Sequence, residues 1–201
     1  LLVSCRREKT TLSAYVSALM TQITPESTGR DTGLSLAVDM RAFLQNDHSK
    51  DIGYFVTSID LAKDQGFNGD TWQLARDFKK TIGARCNRPE FKFDQFKRAV
   101  ALKVTNDLSG FKKIIRKFMT SSLMLTNLGR LEIQTKYRDF ELLHCFHLPA
   151  IHLMEEPFIC LATVTIEERM IFNFSYNKAQ LEQQFVENWA DELLRRLTIS
   201  D

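Results

Sequence analysis

No apolar run in this 201-residue chain approaches the roughly 18 residues that a membrane-crossing helix needs, so neither a bilayer span nor a stop-transfer segment is expected. Glycine and proline are scarce, 8 and 4 in number, which excludes collagen-like and linker-like chains. With 44% apolar and 26% charged residues the composition excludes disorder and leaves ample chain to bury a core. Cysteine is sparse too. Cys5, Cys86, Cys145 and Cys160 form no C-x-x-C pair and are too few to staple a secreted miniprotein, so reduced thiols in a cytoplasmic protein are expected. The start Leu1-Leu2-Val3-Ser4-Cys5-Arg6-Arg7 has neither an initiator Met nor a signal-peptide progression, and reads as cut from something longer.

Chemical motifs are equally thin. There is no G-x-S-x-G elbow, no G-x-G-x-x-G and no Walker loop, which excludes phosphate-loop enzymes. His144 and His147 stand three apart in a strand-like run, where side chains at that spacing point to opposite faces, so they do not chelate one ion. His152 has no acidic partner at helical spacing, and His48, in Asn46-Asp47-His48-Ser49, reads as a solvated loop residue. No metal site is expected. Cys145 neighbours two histidines but diverges from them on a strand, and Cys160 falls within the apolar alternation Phe158, Cys160, Ala162, Val164, Ile166, so both read as core thiols rather than nucleophiles.

What the chain does have is 15 Phe and an uneven charge: residues 85–117 carry ten Lys/Arg against Glu90, Asp94 and Asp107, within a net charge of only +2. The stripe Lys112, Lys113, Arg116, Lys117 reads as a solvated helix face. It lacks the exposed aromatics of a nucleic-acid groove, so no DNA is expected.

Periodicity supplies the architecture. Thr10 and Thr11 offer N-cap hydroxyls to a helix with Leu12, Tyr15, Val16, Leu19, Met20 and Ile23 at helical offsets, closed by Pro25. Alternation over 34–41 and a β-rich run over 52–59 predict two strands, and Asp70 caps a helix carrying Trp72, Ala75, Phe78 and Ile82. Helical stripes follow at Phe93 to Val104 positions and again at Phe111, Ile114, Ile115 and Phe118. Strand signals return at 123–125, 131–134 and 140–146, then in a hairpin of 158–166 and 170–176 joined by Glu167, Glu168 and Arg169. Asn177, with Gln180 three residues on, is the expected cap of a last helix striped by Leu181, Phe185, Trp189, Leu193 and Leu197. The least ordered stretches are expected at 24–33 and 45–49. This order predicts an α/β fold, a two-layer sandwich in which helices cover a mixed β-sheet, as one unit over residues 1–201.

Taken in order, LVSCRREKTTLSAYVSA at 2–18, LAVDMRAFL at 36–44, Ile52-Gly53-Tyr54-Phe55, Leu74-Ala75-Arg76 and Leu125-Thr126-Asn127-Leu128-Gly129 resemble the C-terminal lobe of the chloramphenicol acetyltransferase and condensation-domain superfamily. Alcohol acetyltransferases and phthiocerol-diester-synthase-like acyltransferases are the most similar. In that superfamily a "CR…TL…AL" helix precedes a V-x-L-R strand, a Gly-containing strand, an LAR helix and an S/T-N-L-G turn, and the similarity runs over nearly the whole chain.

The resemblance implies a two-lobe acyltransferase in which the histidine of an HHxxxDG motif takes the proton of a hydroxyl or amine acceptor as it attacks a thioester carbonyl. This chain has no HHxxxDG, so the base is expected on an N-terminal lobe, in the same gene or on a separate chain. The implied donor is acyl-CoA or a phosphopantetheine-linked thioester, with an acyl carrier protein as a further partner and no covalently bound cofactor. Arg41 matches the arginine that reaches the Asp of the absent motif; Asp39 offers it a local partner instead. Thr126, Asn127 and Gly129 match the loop of the tunnel wall, which a plain β-turn explains as well, and Gly53 and Tyr54 match the Gly-containing strand. Thr163 and Thr165 in the hairpin suit strands lining a wet tunnel, as does simple alternation with a solvated face. The alternative to an enzyme lobe is a catalytically inactive, condensation-like module that binds a carrier protein or another partner.

Overall fold

The computed structural model describes residues 1–24, 33–53, 55–62, 67, 69–88, 91, 100, 103, 107, 109, 110, 112, 113, 121–149 and 156–199. The first turn of chain forms α1 (Leu2–Arg7), and α2 (Leu12–Ile23) follows after Lys9 reverses direction at a φ of 56°. Thr11 caps α2 by accepting a hydrogen bond from the Ala14 N–H at 3.2 Å, while the buried Thr10 hydroxyl donates to the Ala75 carbonyl at 3.0 Å. The two threonines therefore divide the work: one starts the helix, the other ties the corner to α3 (Thr71–Cys86). Asp70 caps α3 as the sequence indicates, accepting from the Gln73 N–H at 2.7 Å.

Five strands, β1 (Leu34–Asp39), β2 (Val56–Leu61), β3 (Leu123–Leu131), β4 (Ile159–Ile166) and β5 (Arg169–Tyr176), form one sheet in the order β2-β1-β3-β4-β5. β1, β3 and β4 run parallel; β2 and β5 flank them antiparallel, so the sheet is mixed. The last helix, α4 (Gln183–Ile199), returns over the sheet beside α2.

Register explains the core. One row across the sheet is Leu61, Leu34, Leu123, Ile159, Tyr176 and the next is Ile59, Leu36, Leu125, Leu161, Phe174. These rows meet Val16, Leu19 and Met20 of α2, Leu74 and Phe78 of α3, and Val186, Trp189 and Leu193 of α4 in a single apolar cluster. Trp189 donates its Nε1–H to Thr24 Oγ1 at 3.0 Å and stands edge-on to Phe174 at 6.0 Å, joining three elements. On the other face of β4, Cys160, Ala162, Val164 and Ile166 are buried as well, which is why this central strand reads as a near-continuous apolar run.

Several local expectations need correction. The second strand starts at Val56 rather than 52, because the chain at Ile52 stands fully in solvent and only at Phe55, whose carbonyl accepts from Met40 N–H at 2.7 Å, does it rejoin β1. Asn177 does not cap a helix. It makes an Asx turn with the Ala179 N–H at 3.0 Å, and α4 begins six residues later in the chain, at Gln183. The hairpin loop is two residues long, with Glu167 at a φ of 51°, so β5 already includes Arg169.

The strand expected at 140–146 is absent. Only the isolated bridge between Lys136 and Glu141 forms there, since alternating apolar residues make a strand only where a neighbour supplies the other half of the ladder. The helical stripes at 93–104 and 111–118 and the loop at 25–32 lie largely or wholly outside the described residues.

Candidate functional site

The carboxyl ends of β1, β3 and β4 face the same way, which is where open α/β sheets build their crevices. Here the register changes character. After two apolar rows, the third places Asn127 beside Thr163 and Phe172 on the face that the helices cover. The pairing of β1 with β3 runs from Leu34/Leu123 to Leu36/Leu125 and stops, so the sheet opens between Asp39 and the far half of β3.

On one side of this opening, β3 bulges between Asn127 and Arg130. Asn127 builds the bulge: its Oδ1 accepts from the Gly129 N–H at 2.8 Å, and its Nδ2–H donates to Ser13 Oγ, in the first turn of α2, at 3.1 Å. The side-chain amide is thus held in one orientation by two elements. Gly129 sits at a φ of +70°, and a methyl group there meets nothing within 4 Å. Gly129→Ala is therefore expected to cost about 1 kcal/mol through backbone conformation alone, read as a shift in urea midpoint with no change in m.

Thr163 is fully buried, and its hydroxyl has no hydrogen-bond partner among the described residues. An unmatched buried hydroxyl beside a fixed amide marks a place where water or a ligand atom completes the bonding. Thr126 points to the opposite face, level with Ala162, and Thr165 lies beyond the bulge, level with Arg130 and Met170. The four are not one constellation: Asn127 and Thr163 are neighbours, the other two are not.

On the other side of the opening, Arg41 lies in a 3-10 turn, Arg41–Phe43, directly after β1. Its Nη1 meets the Asp39 carboxylate at 3.3 Å, its Nε donates to the His48 carbonyl at 3.1 Å and its Nη2 to the Asp51 carbonyl at 3.1 Å. The guanidinium also lies over the Phe55 ring, 4.4 Å from its centroid. Gly53 packs against the same ring, since a Cβ there falls 2.9 Å from Phe55 and the ring has to shift to admit it. Tyr54 lies outside the described residues. Arg41 and Gly53 therefore belong to one cluster around Phe55, and Asn127 and Thr163 to another across the opening.

The structure also shows a pair that sequence reasoning passed over. His48 Nδ1 lies 2.6 Å from Asp51 Oδ2, and its ring is 5.8 Å from Phe55. Beside the pair, the Ser49 N–H bonds Asp47 Oδ1 at 2.9 Å, which holds the Asp47 carboxyl below its ordinary range; no motif in the sequence marks the His48–Asp51 contact.

Cys160 and Cys5 are core thiols, whereas Cys145, expected in the core, is only half-buried on the stretch after β3, because the strand that would have buried it does not form. Burial pushes Cys160 up to about 12 and raises Cys5 and Cys86 as well. In the unfolded chain Cys160 ionises near its ordinary pKa while the folded chain holds the proton, so stability falls as pH rises through that interval. Two outcomes follow: Cys160 resists a thiol reagent in the folded protein at pH about 8, and the melting temperature declines above about pH 9. His144 stacks at 6.1 Å on Phe146, and His152 lies outside the described residues. No group of three metal-ligating side chains occurs among the described residues, and none of the described helices is long and apolar enough to cross a membrane.

No protein-family model matches the chain, and no curated protein matches it. Solved structures do. The crystal structure of the epimerization domain from the third module of tyrocidine synthetase B superposes at a TM-score of 0.61 and 12% identity, over 98% of this chain and 43% of that one. A structure of condensation-domain-mediated chain release from the enacyloxin polyketide synthase superposes at 0.58 and 14% identity, over 98% of this chain and 37% of that one. The chain thus has the α/β fold of a condensation-domain lobe, as the order of motifs implied, and spans less than half the length of these neighbours.

Proposed function

We propose that this chain is the C-terminal lobe of a condensation-type acyltransferase whose base, the histidine of an HHxxxDG motif, lies on a second lobe. One observation carries the reading. Beyond β3 the chain folds back on itself at 135–142 and continues to 149, with Tyr137, Phe140, Leu143, Phe146 and Leu148 exposed, the last two by 65% and 68%. A row of large apolar side chains in water is the mark of a surface that another protein body covers. The fold supports the same reading, because lobes of this shape form less than half of the neighbouring chains.

In this role the lobe supplies wall and orientation. The donor, acyl-CoA or a phosphopantetheine-linked thioester, enters the opening between β1 and β3, where the Asn127 amide is placed to hydrogen-bond it, with the buried Thr163 hydroxyl behind it on β4. The acceptor hydroxyl or amine loses its proton to the base of the other lobe as its lone pair attacks the thioester carbon, and the thiolate leaves. Arg41 reaches the motif's Asp with the Nη2–H that its contacts with Asp39, His48 and Asp51 leave over.

The reading is tested by following acylated acceptor with the chain alone and with an added HHxxxDG-bearing lobe. Transfer is expected only in the mixture, and full transfer by the chain alone overturns it. That Arg41 is already neutralised by Asp39 favours the second reading, a catalytically inactive module that binds a carrier protein; there, a carrier binds and no mixture yields product.

A further inference from the structure

We infer that His48 and Asp51 form a second proton-accepting site, built entirely from this chain, that acts on small acyl esters or thioesters arriving from solvent. Its substrate class is taken from the reading above; its chemistry does not depend on a partner lobe.

The argument begins with what a carboxylate permits. An ionised Asp51 only accepts, so the contact of 2.6 Å to His48 Nδ1 requires the hydrogen on Nδ1, and in the neutral ring the lone pair is then on Nε2. That is the tautomer a general base needs, held by the same kind of third group that orients the base in hydrolytic triads. Nε2 has no hydrogen-bond partner among the described residues, and the ring is 28% exposed, so water and a small ester reach it.

The second part of the argument is rigidity. Arg41 donates to the backbone carbonyls of both His48 and Asp51, and the Asp51 N–H bonds the His48 carbonyl at 3.1 Å. One guanidinium, fixed by Asp39 and the Phe55 face, therefore locks the peptide on which both members of the pair stand. Arg41 acts here as a positioning residue. A solvated loop histidine has no use for such a frame; a base held ready for a substrate does.

The step balances without a co-reactant other than water. His48 Nε2 takes the proton of a water whose oxygen bonds to the acyl carbon; as the carbonyl re-forms, the bond to the leaving oxygen or sulfur breaks. The imidazolium returns its proton to that leaving group, and Asp51 stabilises the imidazolium meanwhile. The charged groups around the ring are Asp51 on Nδ1, Asp47 next in sequence, and Arg41 with Asp39 behind it.

The test is hydrolysis of p-nitrophenyl acetate by the whole 201-residue chain across pH. His48→Gln is expected to lower the rate about tenfold, to that of a His147→Gln, His48→Gln double variant, while His147→Gln alone leaves it unchanged. Asp51→Asn keeps the fold and lowers kcat with KM unchanged, because the amide no longer holds the hydrogen on Nδ1; a purely structural role for Asp51 leaves kcat in place. Circular dichroism spectra matching the parent establish that each variant is folded. A His48→Gln rate within twofold of the parent overturns the inference. Since no second lobe is present, that failure leaves the two-lobe reading to its own assay, and failure of transfer in the mixture leaves this site standing.

Discussion

Trp189→Ala is expected to remove about 3–5 kcal/mol of stability, a large share of what a domain of this size holds. The reason lies in the number of elements that the indole joins. It is buried on α4, stacks edge-on to Phe174 of β5, and donates to Thr24 at the end of α2. Truncation leaves a cavity between helix and sheet and removes the donor that Thr24 accepts. Trp189→Phe keeps most of the volume and loses the hydrogen bond, for about 1 kcal/mol beyond the lost area. Urea unfolding followed by circular dichroism separates the two, and a loss below about 1 kcal/mol for the alanine variant contradicts the place given to α4 in the core.

Asn127→Ala in the reassembled two-lobe enzyme is expected to lower turnover by about 10²-fold, the size of effect that removal of one fixed donor has at a reacting carbonyl. Two losses combine. The Gly129 N–H loses its acceptor, so the bulge loosens, and the amide that Ser13 holds in place is gone. Asn127→Asp distinguishes them: it keeps the oxygen that accepts from Gly129 and discards the N–H donor. A drop with Asp as deep as with Ala assigns the effect to the donor, and turnover within twofold of the parent for both variants removes Asn127 from the site. If the chain is a binding module instead, carrier binding survives both changes.

Much of the scaffold is legible in the chain because its cues are local. Thr11 and Asp70 announce the starts of α2 and α3, and both caps form. The alternation in 34–39 and 158–176 is strong enough to set the faces of β1, β4 and β5. Where the cue depends on a partner, local reading fails. The run at 140–146 carries the pattern of a strand, yet no neighbouring strand within the described chain completes it, so its apolar residues stand exposed.

The candidate site divides in the same way. Asn127 and Gly129 are visible because Asn-x-Gly is itself turn chemistry, and both take part in the bulge. That Thr163 lies beside Asn127 depends on which strands pair, across more than thirty residues of intervening chain, and only register reveals it. His48 looks like a loop histidine until Asp51 is seen against it, and a spacing of three residues in a loop carries no rule of its own.

Hydrogen exchange at the backbone amides of 143–148, with and without an HHxxxDG-bearing lobe, tests the two-lobe account most directly. In the chain alone these amides have no hydrogen-bond partner among the described residues, so exchange close to the unprotected rate is expected. Added lobe is expected to slow them at least tenfold, together with amides of the Arg41 turn. A stretch already protected in the isolated chain, or one that exchanges equally fast once the lobe is bound, contradicts it.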